Sequence, residues 1–291
     1  MSTRRLIASV SAGAAAAGAA RLAYSVMDRC PPGGPKAWSR TNHRGEPVTL
    51  LEGPAVAVGA IAGVLAWRLT GSASGRASAA IAIGGAGAAA FGAYDDLAGS
   101  GDQRGFRGHL GALRHGEVTT GAVKLGGIGA TGIVSAVLAG GSPADVVVNA
   151  GLVAGGANLL NLFDLRPGRA IKVAVASAAL IGAAGQDSVA PPVAAALALL
   201  PEDLGERAML GDAGANALGA ILGASAAGLS RTSRITLLGA IVGITAVSEK
   251  VSFTKVIERT PALRWLDMLG RRPAPQAPAA AIPAQWPEPA E

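Results

Sequence analysis

Apolar runs of Ala, Gly, Val, Leu and Ile recur along the chain, separated by short polar stretches. Nine blocks stand out, at residues 6–27, 50–69, 77–94, 118–138, 144–163, 170–184, 189–200, 213–229 and 235–251. A bilayer core about 30 Å thick needs roughly 20 apolar residues per crossing helix, and several blocks reach or approach that length. The pattern predicts an all-α fold: a polytopic membrane helical bundle with about nine transmembrane helices. The block at 189–200 is short and opens beside Pro191 and Pro192. Gly-x-x-x-Gly spacings occur at Gly151/Gly155 and Gly219/Gly223. Such positions let helices approach closely in lipid, where packing rather than hydrophobicity drives association. A biased composition would account for part of the Gly and Ala content as well.

Composition supports the pattern. Of the 291 residues, 50% are hydrophobic and 15% charged, with a mean hydropathy of +0.40. A soluble domain carries about a quarter charged residues. The net charge of +6 matters less than its placement. If the blocks alternate across a membrane from an outside N-terminus, residues near 21–49, 95–124, 164–172, 201–211 and 250–291 share one face. That face holds 19 of the 25 Lys and Arg residues; Arg4, Arg5, Arg68, Arg76, Arg231 and Arg234 lie on the other. The positive-inside rule makes the richer face cytoplasmic. The basic residues are topology signals first, so nucleic acid is not an expected partner.

Arg4 and Arg5 before an Ala-rich run also have the form of a secretory signal. Cleavage there would place residues 28–49 outside, against their basic residues. The single Cys30 excludes an internal disulfide. The organisation expected is a membrane-embedded domain at 1–251, a cytoplasmic segment at 252–270 and a Pro/Ala-rich disordered tail at 271–291. Within the middle segment Leu263, Leu266 and Leu269 recur beside Arg264, the pattern of either a short interfacial helix or a solvated linker.

Four polar clusters reach the cytoplasmic side of this topology. Asp95 and Asp96 end the third block. Adjacent carboxylates repel, and a divalent cation with oxygen ligands relieves that repulsion; a solvated helix end is the plainer alternative. Asn158, Asn161 and Asp164 close the fifth block at steps of three, along one drifting helical face. Polar groups in an apolar run are costly in lipid and mark a functional site or interhelical hydrogen bonds. Gly211-Asp212-Ala213-Gly214 opens the eighth block, where Asp212 suits an N-cap and the glycines allow phosphate to approach a positive helix end. The fourth cluster is the basic loop with Arg104, Arg107, His109, Arg114 and His115, leading through Thr119 and Thr120 to Lys124. His43 lies on the same face and suits a structural role or a peripheral phosphate contact.

Taken in order and on one side, these clusters resemble the polyprenyl-phosphate N-acetylhexosamine-1-phosphate transferase family, which includes the phospho-N-acetylmuramoyl-pentapeptide transferases. The resemblance runs from about residue 42 to 251. It implies transfer of a phospho-sugar from a UDP-sugar to a polyprenyl phosphate, with Mg²⁺ as cofactor and UMP released, at a bacterial inner membrane. It makes Asp95, Asp96, Asp164 and Lys124 catalytic candidates and Asp96 and Asp212 metal ligands. Asn158, Asn161, Arg107, His109 and Thr120 become substrate-binding candidates. Polyprenyl phosphate, a nucleotide sugar and the membrane are the implied partners, with a homodimer as one candidate assembly. Two departures stand out. Leu165-Arg166-Pro167-Gly168 follows Asp164 where the family carries a second carboxylate that helps hold uracil, leaving Arg166 and Arg169 as the nearby contacts. Residues 248–252 lack the histidines of peptidoglycan-type members, and no tenth block follows. A catalytically silent scaffold or lipid-binding relative, and a transporter, are the competing readings; the motifs sit at helix ends, whereas transporter sites favour the midplane.

Overall fold

The computed structural model describes residues 3–71, 74–99 and 118–273. Each apolar block forms a helix. The order is α1 (Thr3–Arg29), the single turn α2 (Pro35–Trp38), β1 (Ser39–Thr41), β2 (Pro47–Thr49), α3 (Glu52–Leu69), α4 (Gly75–Ala98) and α5 (Thr120–Ala139). Then follow α6 (Pro143–Phe163), α7 (Arg169–Ala183), α8 (Ala190–Leu204), α9 (Gly211–Ser225), α10 (Arg231–Ser248), α11 (Phe253–Arg259) and α12 (Pro261–Met268).

Among the described residues, five helices are long and apolar enough to cross a membrane: α1, α3, α4, α5 and α6. A sixth counts if α10 and α11 form one span bent by 92°. Helices α7, α8 and α9 have 15 residues each, about 22 Å at 1.5 Å per residue, short of a 30 Å core. Length and composition thus identify five or six spans among the described residues, and do not by themselves establish the expected nine. Helix α9 also differs in position: every residue except Asp212 is buried, so this helix is shielded by its neighbours.

The interior holds large and small apolar residues together, but α1 and α5 also turn large aliphatic side chains outward. Leu6, Ile7 and Val10 of α1 and Ile133, Val134 and Val137 of α5 are at least half exposed, while the α1 residues Ala8, Ala12, Ala16 and Ala20 are buried. A soluble bundle buries its large apolar residues preferentially; this arrangement suits an apolar solvent. The α1 alanines face Gly59 and Gly63 of α3, where an added Cβ would lie 2.5 Å from the Cβ of Ala20 or Ala16.

Helix α9 is the hub, packed on α3, α4 and α6. A Cβ on Gly219 would lie 2.1 Å from the Gly156 carbonyl oxygen, and one on Gly223 would lie 2.1 Å from that of Leu152. The Gly219/Gly223 spacing is thus a backbone-to-backbone crossing. The Gly151/Gly155 spacing instead faces the side chains of Leu238 and Ile241 on α10, and Gly156 is the α6 glycine that meets α9.

The hairpin adds the only strands among the described residues, paired antiparallel with Arg40 opposite Val48. Its turn is built locally: Asn42 Oδ1 accepts the Arg44 and Glu46 amides at 2.8 and 2.9 Å, and Gly45 takes φ +81°. Thr49 pairs with the segment after α8, donating to the Arg207 carbonyl at 3.2 Å and accepting from Met209 at 2.9 Å. At this same end the chain bends into α11, whose Phe253 stacks on Phe163 with ring centroids 5.4 Å apart. The first residues of the expected tail are anchored: Arg44 donates to the carbonyls of Arg272 and Pro273 at 2.9 and 2.8 Å, and Arg272 pairs with Glu46 at 2.5 Å. Residues 274–291 lie outside the described residues.

The two glycine pairs make a contrasting test. Gly219→Ala should destabilise the bundle by about 2 kcal/mol, since backbone must move. Gly151→Ala meets only the end of Leu238 at 3.1 Å and should stay within about 0.5 kcal/mol. Unfolding midpoints in one detergent would check the order.

Candidate active site at the polar end of the bundle

Helix α4 carries Asp95 and Asp96 on its last turn, α5 opens with Thr120 and Lys124 one turn later, and α9 opens with Gly211 and Asp212. The close approach of α4 to α9 puts these ends together. Gly92 permits it, because a Cβ there would sit 2.3 Å from the Asp212 carbonyl oxygen. Lys124 Nζ then lies between two carboxylates, 2.6 Å from Asp95 Oδ2 and 2.7 Å from Asp212 Oδ2. The three side chains are only 14%, 15% and 23% exposed for Lys124, Asp95 and Asp212. Thr120 and Asp212 both lie within hydrogen-bonding reach of Asp95.

Asp96 is held differently. Its two oxygens accept the backbone amides of Asp212 at 3.1 Å and Ala213 at 2.9 Å, so it caps α9 from a neighbouring helix. A helix start leaves such amides open and favours negative charge. Gly211, at φ +58°, is required here: a Cβ would lie 3.1 Å from an Asp96 oxygen and from Leu50. Arg40 of β1 donates to the Asp96 backbone carbonyl and closes the end of α4.

Asp164 ends α6, with the Gly211 amide within hydrogen-bonding reach. Burial, then the carboxylates of Asp203, Asp212 and Asp96, push Asp164 well above the usual carboxylate range. It lines a cleft of about 210 Å³ with Arg166 and Pro167, the hairpin residues Thr41 to His43, and Asp203 and Glu206. Burial holds His43 below its ordinary value; Arg166, Arg271 and Arg44 act in the same direction, and Glu206 opposes them. Glu206 has a fully shielded side chain, accepts from Arg44 Nε and Asn42 Nδ2 at 2.8 Å each, and sits at φ +57°.

The structure thus brings together Asp95, Asp96, Lys124, Thr120, Asp164 and Asp212. Asn158 points elsewhere, donating to Thr245 Oγ1 of α10 at 3.2 Å. Asn161 lies half-buried on the last turn of α6. Arg107 and His109 lie outside the described residues, as do Arg104, Arg114 and His115. Arg169, expected beside the nucleotide, is buried against Asp267 instead. Pattern reasoning missed Arg40, Asp203, Glu206 and Glu52. Glu52, in the first turn of α3, is fully buried, and neither carboxylate oxygen has a hydrogen-bond partner among the described residues. An acid on the first turn of an apolar run was the available signal for it.

The donor set can be tested against Mg²⁺. Mg²⁺ takes hard oxygen ligands and is commonly held by one or two carboxylates, with waters and substrate phosphates completing the shell. Asp95, Asp96 and Asp212 fit that chemistry. They do not form a three-ligand cage among the described residues, and the Lys124 ammonium fills the space between Asp95 and Asp212. The chain matches no protein-family model and shows no detectable similarity to a curated protein.

Lys124→Met would leave Asp95 and Asp212 facing each other without their cation. Breaking a shielded pair costs about 3–5 kcal/mol, so the unfolding midpoint should fall. Millimolar Mg²⁺ should raise the variant's midpoint more than the wild type's. Equal shifts would show that these carboxylates do not take the cation.

Proposed function

We propose that this chain transfers a phospho-sugar from a UDP-sugar to a polyprenyl phosphate at the cytoplasmic face of a bacterial inner membrane. One observation carries the reading: Asp95, Lys124 and Asp212, from three helices, meet at 2.6 and 2.7 Å beside a cleft at one end of an apolar bundle. A lipid acceptor and a water-soluble donor can meet only at such an end. In this reading α7 to α10 complete nine crossings, with the end that carries Lys124 in the cytoplasm.

In the transfer, an acceptor phosphate oxygen attacks the sugar-bearing phosphorus. A new P–O–P link forms, the bond to the UMP oxygen breaks, and UMP leaves with that electron pair. Lys124, already between two acids, would turn its charge to substrate phosphate. Asp95 Oδ2, freed as Lys124 turns to the phosphate, would take a proton from the acceptor phosphate. Asp96, pinned by the α9 amides, orients Asp212. Asp212 and Asp96 would hold Mg²⁺, which when bound neutralises diphosphate charge and polarises the bond to the leaving group. The cleft beside Asp164 and Arg166 suits the nucleotide; Asn161 precedes it on the last turn of α6, and Thr120 lies beside Asp95. A compact UDP-N-acetylhexosamine is the expected donor, since the region after α10 offers no histidine-bearing loop for a pentapeptide.

The direct assay mixes purified protein, polyprenyl phosphate, Mg²⁺ and a panel of UDP-sugars and follows UMP. Asp95→Asn, Asp96→Asn and Asp212→Asn should each cut turnover about a hundredfold or more, with rate falling more than donor affinity. Lys124→Ala should lose about tenfold, as one phosphate contact among several. Near-normal turnover in all three Asp variants would overturn the assignment, and no UMP with any donor would favour a non-catalytic role.

Orientation has its own check. Cys30, exposed just beyond α1, should react with an impermeant maleimide in inverted vesicles and not in intact cells. Labelling from outside would invert the topology.

A further inference from the structure

Helix α12 is amphipathic in the reverse sense of an ordinary surface helix. Its one buried residue is Asp267. The Asp267 carboxylate accepts Arg169 Nε at 2.6 Å and Nη2 at 3.1 Å and Arg271 Nη1 at 2.6 Å, and its carbonyl accepts Lys172 Nζ at 2.7 Å. At 3.6 residues per turn, Trp265 stands about 160° around the helix from Asp267. It is 64% exposed, and Leu266 and Leu269 are 51% and 50% exposed. A helix on a soluble protein turns its apolar stripe inward. Here charge pairing satisfies the protein side, and the apolar side faces away from it.

Two observations identify what covers that side. The chain turns by 92° from α10 into α11, so the elbow leaves the direction of the spanning helices at the polar end of the bundle, where a headgroup layer begins. Lys255, Arg259 and Arg264 are exposed on the same elbow. Arg259 and Arg264 share an open crevice of about 410 Å³ with Trp265, Met268, Pro261 and Glu258. Basic residues beside Trp and Leu complement an anionic bilayer surface.

We infer that the α11–α12 elbow is a membrane-surface anchor, seating Trp265, Leu266 and Leu269 at the acyl boundary and binding anionic headgroups through Lys255, Arg259 and Arg264. The anchor stands independently of the transfer reaction. It also grips the bundle through Arg169, two residues beyond Pro167 in the cleft wall, and so fixes that wall relative to the bilayer.

The test uses the full chain with Cys30→Ser and a single nitroxide at Leu266→Cys, reconstituted in vesicles. Lys36→Cys, exposed on the same end, is the reference. In phosphatidylglycerol-rich vesicles, collisions with a water-soluble nickel chelate should be about fivefold lower at 266 than at 36, and collisions with oxygen higher. In pure phosphatidylcholine, or with Lys255, Arg259 and Arg264 all changed to Gln, that protection should fall by about half or more. Chelate access at 266 equal to that at 36 would overturn the anchor. Shielding from both probes would overturn it in favour of a protein cover, such as a second copy. Protection that ignores lipid charge would remove the anionic headgroup from the proposal.

Discussion

Helices in an apolar solvent gain little from burying apolar surface, so they hold together where their backbones can touch. In this chain that constraint acts through α9. Gly53 and Gly214 face each other across α3 and α9, Gly156 and Gly219 across α6 and α9, and Gly92 meets the Asp212 carbonyl across α4 and α9. Three long helices are thereby drawn to backbone contact with one short, buried helix. The consequence at the polar end is direct. The approach at Gly92 sets Asp95 and Asp96 against the first turn of α9, and its open amides take the Asp96 carboxylate. The site is a product of the packing, and the packing rests on residues with no side chain.

What the sequence made legible follows from the same physics. Apolar length and helix-end acids are local, so nine helices and the group Asp95, Asp96, Lys124, Asp164 and Asp212 could be read in order along the chain. Burial is not local. Apolar length does not say that α9 is enclosed by its neighbours. Spacing alone could not tell Gly219/Gly223, which meets backbone, from Gly151/Gly155, which meets flexible side chains. Asn158 shows the same limit: the step of three placed it with Asn161 and Asp164, yet the α10 hydroxyl of Thr245 satisfies it. The hairpin has strands of three residues, one containing Pro47, and pairs with a segment some 160 residues away. No short-range pattern carries such a contact.

The polar end is organised by charge where the bundle interior is organised by shape. Its pairs are not equal. Arg272 and Glu46 are both about 40% exposed, and solvent screening leaves such a pair little energy. Arg44 with Glu206 and Arg169 with Asp267 are almost wholly shielded, where an unpaired charge would be costly. The shielded pairs therefore set the register of the hairpin and of α12. Burial alone would raise Asp267, but the Arg169 hydrogen bond and the nearby charges of Arg169, Arg271 and Lys172 outweigh it and hold the acid below its usual range. Because its folded-state value is depressed, this group contributes stability above the unfolded value, and that contribution is lost only as pH falls through the depressed one. The elbow is thus pinned across the neutral range.

Charge is also what the proposed reaction would draw on. Asp95, Asp96, Asp164 and Asp212 converge on one ammonium, Lys124, and on the positive end of α9. Two like charges 4 Å apart repel by about 4 kcal/mol at an effective dielectric of 20, so ionising all of these acids together is costly, and burial already holds Asp164 well above the usual carboxylate range. Shielding them further would raise that cost, and the packing of α4 on α9 does so. Under the proposed reaction the substrates add a diphosphate and a phosphate, which are negative as well. The arrangement becomes favourable only when a divalent cation enters with them, because one such ion offsets acid and phosphate together. Under that proposal, the acids that repel one another are the groups that would order the cation and the phosphates.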